Sequence, residues 1–98
     1  MMSEVKSSTK ELDEFTVVSF ELDIIGPEVL KSLKPPEVNM GKGVVLSGRG
    51  PIWFYCYLTH HYHPTRFIAI YDPRIGAVVV ESHWPSYRVC DVLNVRPV

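Results

Sequence analysis

Four histidines are present in this chain, and three of them, His60, His61 and His63, stand almost together, with His83 further on. On a helix His60 and His63 share one face. A His-x-x-His pair can bind a transition metal, and Asp72 or Glu81 could complete the set. A plain helix end accounts for the same residues, because the C-terminal dipole favours protonated histidine. A second group is the turn Ser47-Gly48-Arg49-Gly50-Pro51. Its glycines allow the backbone to bend and to approach a ligand closely. Pro51 suits the first turn of a helix, so free N–H groups and the Arg49 charge would meet there, as phosphate binding requires. An arginine between glycines, with no acid close in sequence, needs a partner. The third group is Asp72-Pro73-Arg74-Ile75-Gly76. Asp, Pro and Gly are ordinary turn residues, but the turn does not require Arg74.

Other chemistries fall away. Trp53 stands where a dinucleotide fingerprint needs its third small residue, and no P-loop Lys-Ser/Thr follows the glycines. No Ser-His-Asp or Cys-His arrangement is evident. Cys56 and Cys90 lie in apolar contexts without metal spacing and are expected to be reduced core residues.

The elements that position these groups follow from pattern. Residues 1–14 are polar and read as a frayed leading segment, with a single domain over 15–98. Phe15 to Leu22, β-branched and aromatic, predicts a strand. Gly26-Pro27 opens a short helix, Glu28 to Leu33, that Pro35-Pro36 ends. Gly43 to Ser47 is apolar enough for a strand covered on both faces. The nearly continuous apolar run 51–63 does not decide by periodicity, but Pro51 and the length of a parallel crossover favour a helix, stopped by Pro64. Arg66 to Tyr71 is a third strand, 72–76 a hairpin turn, Ala77 to Glu81 an antiparallel strand, and Val92 to Val95 a last short one. The expected fold is α/β, a βαβαβ core with an antiparallel hairpin.

Length limits this to one domain with a modest core, at roughly 60–65% of the unfolded surface buried. Hydrophobic content is 46% and no apolar run has the length of a membrane span. The polar N-terminus shows no signal-peptide pattern, which points to the cytoplasm. Net charge is −1, against a protein that coats duplex DNA or long RNA. Residues 38–80 nevertheless carry Lys42, Arg49, Arg66 and Arg74 against Asp72, a net +3 set in a remainder of −4. Such a local field suits a small anion.

Taken together, Gly43-Val44-Val45-Leu46-Ser47-Gly48-Arg49-Gly50-Pro51-Ile52-Trp53, Tyr62-His63-Pro64-Thr65, Tyr71-Asp72-Pro73-Arg74-Ile75-Gly76-Ala77-Val78-Val79-Val80, Ser82-His83 and Asp91-Val92 resemble the small Csx-type CRISPR-associated ring nucleases of type III systems. The resemblance covers most of residues 17–95. It implies a CARF-like, Rossmann-like homodimer that binds and cleaves cyclic tetra-adenylate with manganese (Mn2+), and an RNA deadenylating exonuclease activity on short polyadenylate. Carried over by motif, Ser47, Gly48, Arg49 and Gly50, with Pro51 beside them, would hold the ligand. His60, His63, Asp72 and Arg74 would serve the chemistry, and His60, His83 and Asp72 the metal. Cys90, before Asp91, stands where that pattern leads one to expect a glycine.

Three functions remain: a ring nuclease, a sensor that sequesters the messenger, and a 3′-to-5′ RNA exonuclease. A sensor has no need of a histidine cluster, and the near-neutral charge argues against a long RNA substrate. Topology adds a constraint. The helix after the glycine turn runs antiparallel to its strands, so Arg49, Asp72 and Arg74 are expected at the carboxyl edge and the histidines at the opposite one. About 12 helical residues span roughly 18 Å. One subunit then cannot bring its histidines to its own bound phosphates, and two dimers stacked head to tail are expected to do so.

Overall fold

The computed structural model describes residues 5–22 and 26–95. The first four residues of the expected leading segment and the last three of the domain lie outside this range. Six strands form one sheet in sequence order: β1 (Val5–Glu11), β2 (Phe15–Leu22), β3 (Gly43–Arg49), β4 (Phe67–Asp72), β5 (Gly76–Ser82) and β6 (Val92–Leu93). β2, β3 and β4 run parallel, and the outer pairs β1–β2, β4–β5 and β5–β6 are antiparallel. One helix, α1 (Ile52–His61), carries the chain from β3 to β4.

The α/β class holds, with a difference in how the sheet is covered. Strand order never reverses, so the sheet has none of the switch points at which doubly wound sheets open a ligand crevice. Both crossovers lie on one face. There Phe54, Leu58 and Tyr62 pack with Val18, Phe20, Val44, Leu46 and Ile68, and Leu30, Leu33 and Val38 of the first crossover join them. On the other face Val17, Val45, Phe67, Ala69, Ala77 and Val79 lie under Trp84, Tyr87, Leu93 and Val95. No helix of the described residues is long and apolar enough to cross a membrane.

Several local expectations are corrected. The polar segment expected to fray forms β1 from Val5 onward, with all seven residues paired to β2. It has no apolar alternation because it is an edge strand exposed on both faces, and Lys6 and Lys10 are the charges such an edge tolerates. The short helix expected at 28–33 is a 3-10 helix over Pro27–Lys31. β3 continues through Gly48 and Arg49, which pair with Phe20 and Glu21, so the glycine series is mostly strand and only Gly50–Pro51 forms the junction. Pro51 is the extended residue before the helix, with ψ 161°. Helix α1 ends at His61, before Pro64, because Tyr62 to Thr65 already turn, with Thr65 donating its hydroxyl to the Tyr62 carbonyl. The last strand is the two residues Val92–Leu93. Cys56 and Cys90 are both exposed. Apolar residues occur all round α1, so an apolar context could not show that Cys56 lies on its outer side with Ile52, which is 83% exposed. Cys90 has φ 81°, the left-handed region that favours glycine, and this accounts for the glycine expected there.

Gly43 begins β3 where it faces Phe67. A β-carbon there would lie 2.2 Å from the Phe67 ring, which is wholly buried and stacked on Tyr87 at 4.2 Å. Gly43→Ala is therefore expected to destabilise the fold by about 1–3 kcal/mol through overpacking, read as a lower midpoint of urea unfolding. An unchanged midpoint would mean that Phe67 can move aside.

Candidate functional site

The parallel strands give the sheet two chemically different ends. At the amino end of β3 and β4, Arg66 N–H donates to the Lys42 carbonyl and His83 N–H to the Arg66 carbonyl. Here three side chains converge. His63 Nδ1 lies 2.5 Å from Glu81 Oε2, and His83 Nε2 is 3.7 Å from the same oxygen. The two imidazole rings meet edge to face at 5.1 Å. One donor atom from each of His63, Glu81 and His83 fits within 4.8 Å, and the side chains are about half-exposed histidines around a less exposed carboxylate.

A β-bulge brings Glu81 into this group. Ala69 pairs with Val79 and Ile68 with Glu81, so Val80 is the extra residue on β5. In a regular ladder Val80 would oppose Ile68, and Glu81 would point to the other face with Phe67. The extra residue turns Glu81 and His83 to the face of Ile68 and α1, where His63 arrives from the end of the helix. Since a carboxylate only accepts, His63 donates Nδ1–H to Glu81, leaving Nε2 as the free nitrogen.

His60 is on the last turn of α1, where its carbonyl accepts the His63 N–H, and it is outside this cluster. The expected face-sharing of His60 and His63 fails because His63 has left the helix. Asp72 is also elsewhere. It closes the β4–β5 hairpin opposite Gly76, whereas His83 follows Ser82 at the other end of the same pair. Within one chain, His60, His83 and Asp72 do not form a common ligand set. Of the two carboxylates considered from sequence, Glu81, two positions before His83 on its strand, is the one that meets His63 and His83.

The carboxyl end holds the expected ligand group. Ser47, at the limit of burial, and exposed Arg49 lie on the face away from α1, since they alternate with Val45. A shallow groove runs past Gly48 and Arg49 to Ser19 and Glu21 on β2 and to Lys6 and Ser8 on β1. Gly48 is required by close approach, because a β-carbon there would lie 2.2 Å from the Phe20 carbonyl oxygen. Tyr55 of α1 donates its hydroxyl to the Gly48 carbonyl, and burial pushes that phenol's pKa up. Arg49 has no ion-pair partner among the described residues.

Asp72 and Arg74 belong to this end by register, since Leu46 pairs with Ile70 two residues earlier. They are engaged with each other. Arg74 N–H and Nε donate to Asp72 Oδ1 at 2.9 and 3.2 Å, and Nη2 to Oδ2 at 3.1 Å. β3 has seven residues, which at about 3.3 Å each separates the two ends by roughly 20 Å.

The Asp72 carboxyl is held below its ordinary value of 3.8, first by the Arg74 side-chain hydrogen bonds and then by the Arg74 backbone N–H. A depressed carboxyl stabilises the fold above its unfolded pKa and loses that contribution as pH falls through the folded one. Carbon-detected NMR titration should give Asp72 a midpoint below 3.8, moving up in Arg74→Ala. A midpoint unmoved by that substitution would show that the pair does not persist in solution.

The sequence model of the CRISPR-associated protein family Cas_csx3 matches residues 19–94. An uncharacterized protein of Aquifex aeolicus (strain VF5) is 48% identical over 98 aligned residues, spanning 92% of this chain and 87% of its own length.

Proposed function

Because the chain belongs to the Cas_csx3 family of CRISPR-associated proteins, we propose that it is a ring nuclease of type III antiviral signalling, a CARF-like homodimer that binds cyclic tetra-adenylate and cuts it. The observation that carries this reading is the separation of two complementary groups: Arg49, without an ion-pair partner among the described residues, beside Gly48 at the carboxyl end, and His63, Glu81 and His83 clustered at the amino end. Phosphates bind along the first. The second, from a dimer stacked on the ligand, supplies the chemistry in trans. A head-to-tail contact of this kind need not close, so stacks grow with ligand.

The side chains suffice for proton transfer. His63 Nε2, with the ring held by Glu81, accepts the proton of a ribose 2′-hydroxyl that attacks its own phosphate, and His83 returns one to the leaving 5′-oxygen. Fragments with 2′,3′-cyclic phosphate ends report this route. Two imidazoles and a carboxylate also suit a divalent transition metal, so His63, Glu81 and His83 are the residues that would hold Mn2+. When bound, the ion would supply charge neutralisation at the phosphate. Mn2+ is then expected to raise the melting temperature of the protein, and Glu81→Ala and His83→Ala to abolish that rise. Equal shifts in all three proteins would place the metal elsewhere.

The function is tested by complementation. Arg49→Ala loses the binding edge and His63→Ala the cutting edge, so each alone should leave cyclic tetra-adenylate nearly intact by chromatography. Mixed, they should recover cleavage that rises steeply with protein concentration. If the mixture stays inactive while both variants remain folded, and wild type cleaves, the site lies within one dimer.

A further inference from the structure

At the same end of the sheet as the histidine cluster, but with Trp84 packed on the opposite face, lies a group that the proton-transfer scheme does not use. The Arg66 guanidinium sits over the Trp84 ring, 5.0 Å from its centroid. Both flank His83, Trp84 by sequence and Arg66 by the hydrogen bond from His83 N–H to its carbonyl. Trp84 is anchored. Its backbone N–H donates to the Ser82 hydroxyl at 3.1 Å, the single proton of that hydroxyl is within reach of both the Trp84 and the Tyr87 carbonyl, and the Tyr87 ring braces the indole at 5.3 Å. Arg66 is exposed and has no carboxylate partner among the described residues. The indole is partly buried and the guanidinium already lies over it, so the pair offers solvent the exposed Arg66 plane. A guanidinium held on an aromatic ring is a surface on which an unstacked base can lie.

We infer that Arg66 and Trp84 form a nucleobase-stacking subsite at the amino end of the sheet, which holds the base of the nucleotide whose phosphate lies at His63 and His83. The inference rests on the proposed action of these histidines on an adenylate ligand and adds how the nucleotide is seated. Arg66 and Trp84 are positioning residues in it. A base fixed beside His83 sets which ribose hydroxyl and which phosphate oxygen face the imidazoles, so the subsite affects binding whether or not a bond is cut.

The test uses Trp53→Phe, which leaves Trp84 as the sole tryptophan, with 5′-AMP and ribose 5-phosphate as probes in EDTA. AMP is expected to quench Trp84 emission saturably, and ribose 5-phosphate to leave it unchanged. Adding Arg66→Ala should weaken AMP binding at least about fivefold, the low end for loss of one stacking partner, and Arg66→Lys should recover only part of it. Near-ultraviolet circular dichroism verifies that each variant keeps its packing. Equal responses to the two probes, no response to either, or an Arg66→Ala affinity equal to the parent's would each overturn the subsite. Because the quench needs no cleavage, wild-type failure to cut cyclic tetra-adenylate would reject the ring-nuclease reading and leave the stacking result to be judged on its own.

Discussion

The structure depends on β3 being buried on both faces and hydrogen-bonded on both edges to parallel neighbours. Val44, Val45 and Leu46 have no exposed surface. Shifting this strand by one residue would exchange its two faces, moving Val44 and Leu46 away from α1 and Val45 toward it. The shift would also move Gly43 off Phe67, where only a glycine fits. Register is therefore strongly specified in the middle of the sheet, and this carries Gly48 and Arg49 to one end and the entry of β4 to the other. Separation of the Arg49 edge from the histidine edge is a consequence of parallel pairing itself, since a parallel crossover must return the chain to its starting edge.

The bulge at Val80 is the second constraint. It costs a ladder position, and Val80 is left 43% exposed. What it gains is a change of face for every residue beyond it on β5. Glu81 and His83 then look toward the end of α1, while Ser82 faces the other way and anchors the loop that carries Trp84. One extra residue thus places acid, imidazole and indole around a single sheet edge.

What could be read from the sequence follows from the same physics. The runs that became β2, β3, β4 and β5 were legible because each is apolar and bounded by turn residues. The opposition of Arg49 and His83 followed from counting strands. β1 was not legible, since an exposed edge strand need not bury anything and its seven residues carry no periodic signal. The length of β3 was also hidden: Gly48 reads as a turn residue, but here glycine serves close packing against the Phe20 backbone within a strand. The cluster was half legible. His63 and His83 stood out by type, whereas their meeting with Glu81 rests on a bulge, and a bulge inserts one residue without any residue type that announces it. Cys90 shows the converse, a departure visible in sequence that the backbone explains by its positive φ.

Arg49 and Arg74 lie at the same end of the sheet but are not equivalent toward an anion. Arg74 already spends three donors on Asp72, and its charge is neutralised by that carboxylate. To hold a phosphate it would exchange one charge-assisted pair for another and leave Asp72 ionised beside the newcomer, so the net gain is small. Arg49 has no such carboxylate to give up among the described residues. Its side chain leaves the sheet next to Gly48, whose missing β-carbon keeps the backbone close and whose carbonyl Tyr55 holds in place. At this end Arg49 is therefore the cation whose charge no described carboxylate takes up, and the pairing of Asp72 with Arg74 first shapes the hairpin turn that closes the edge beside it.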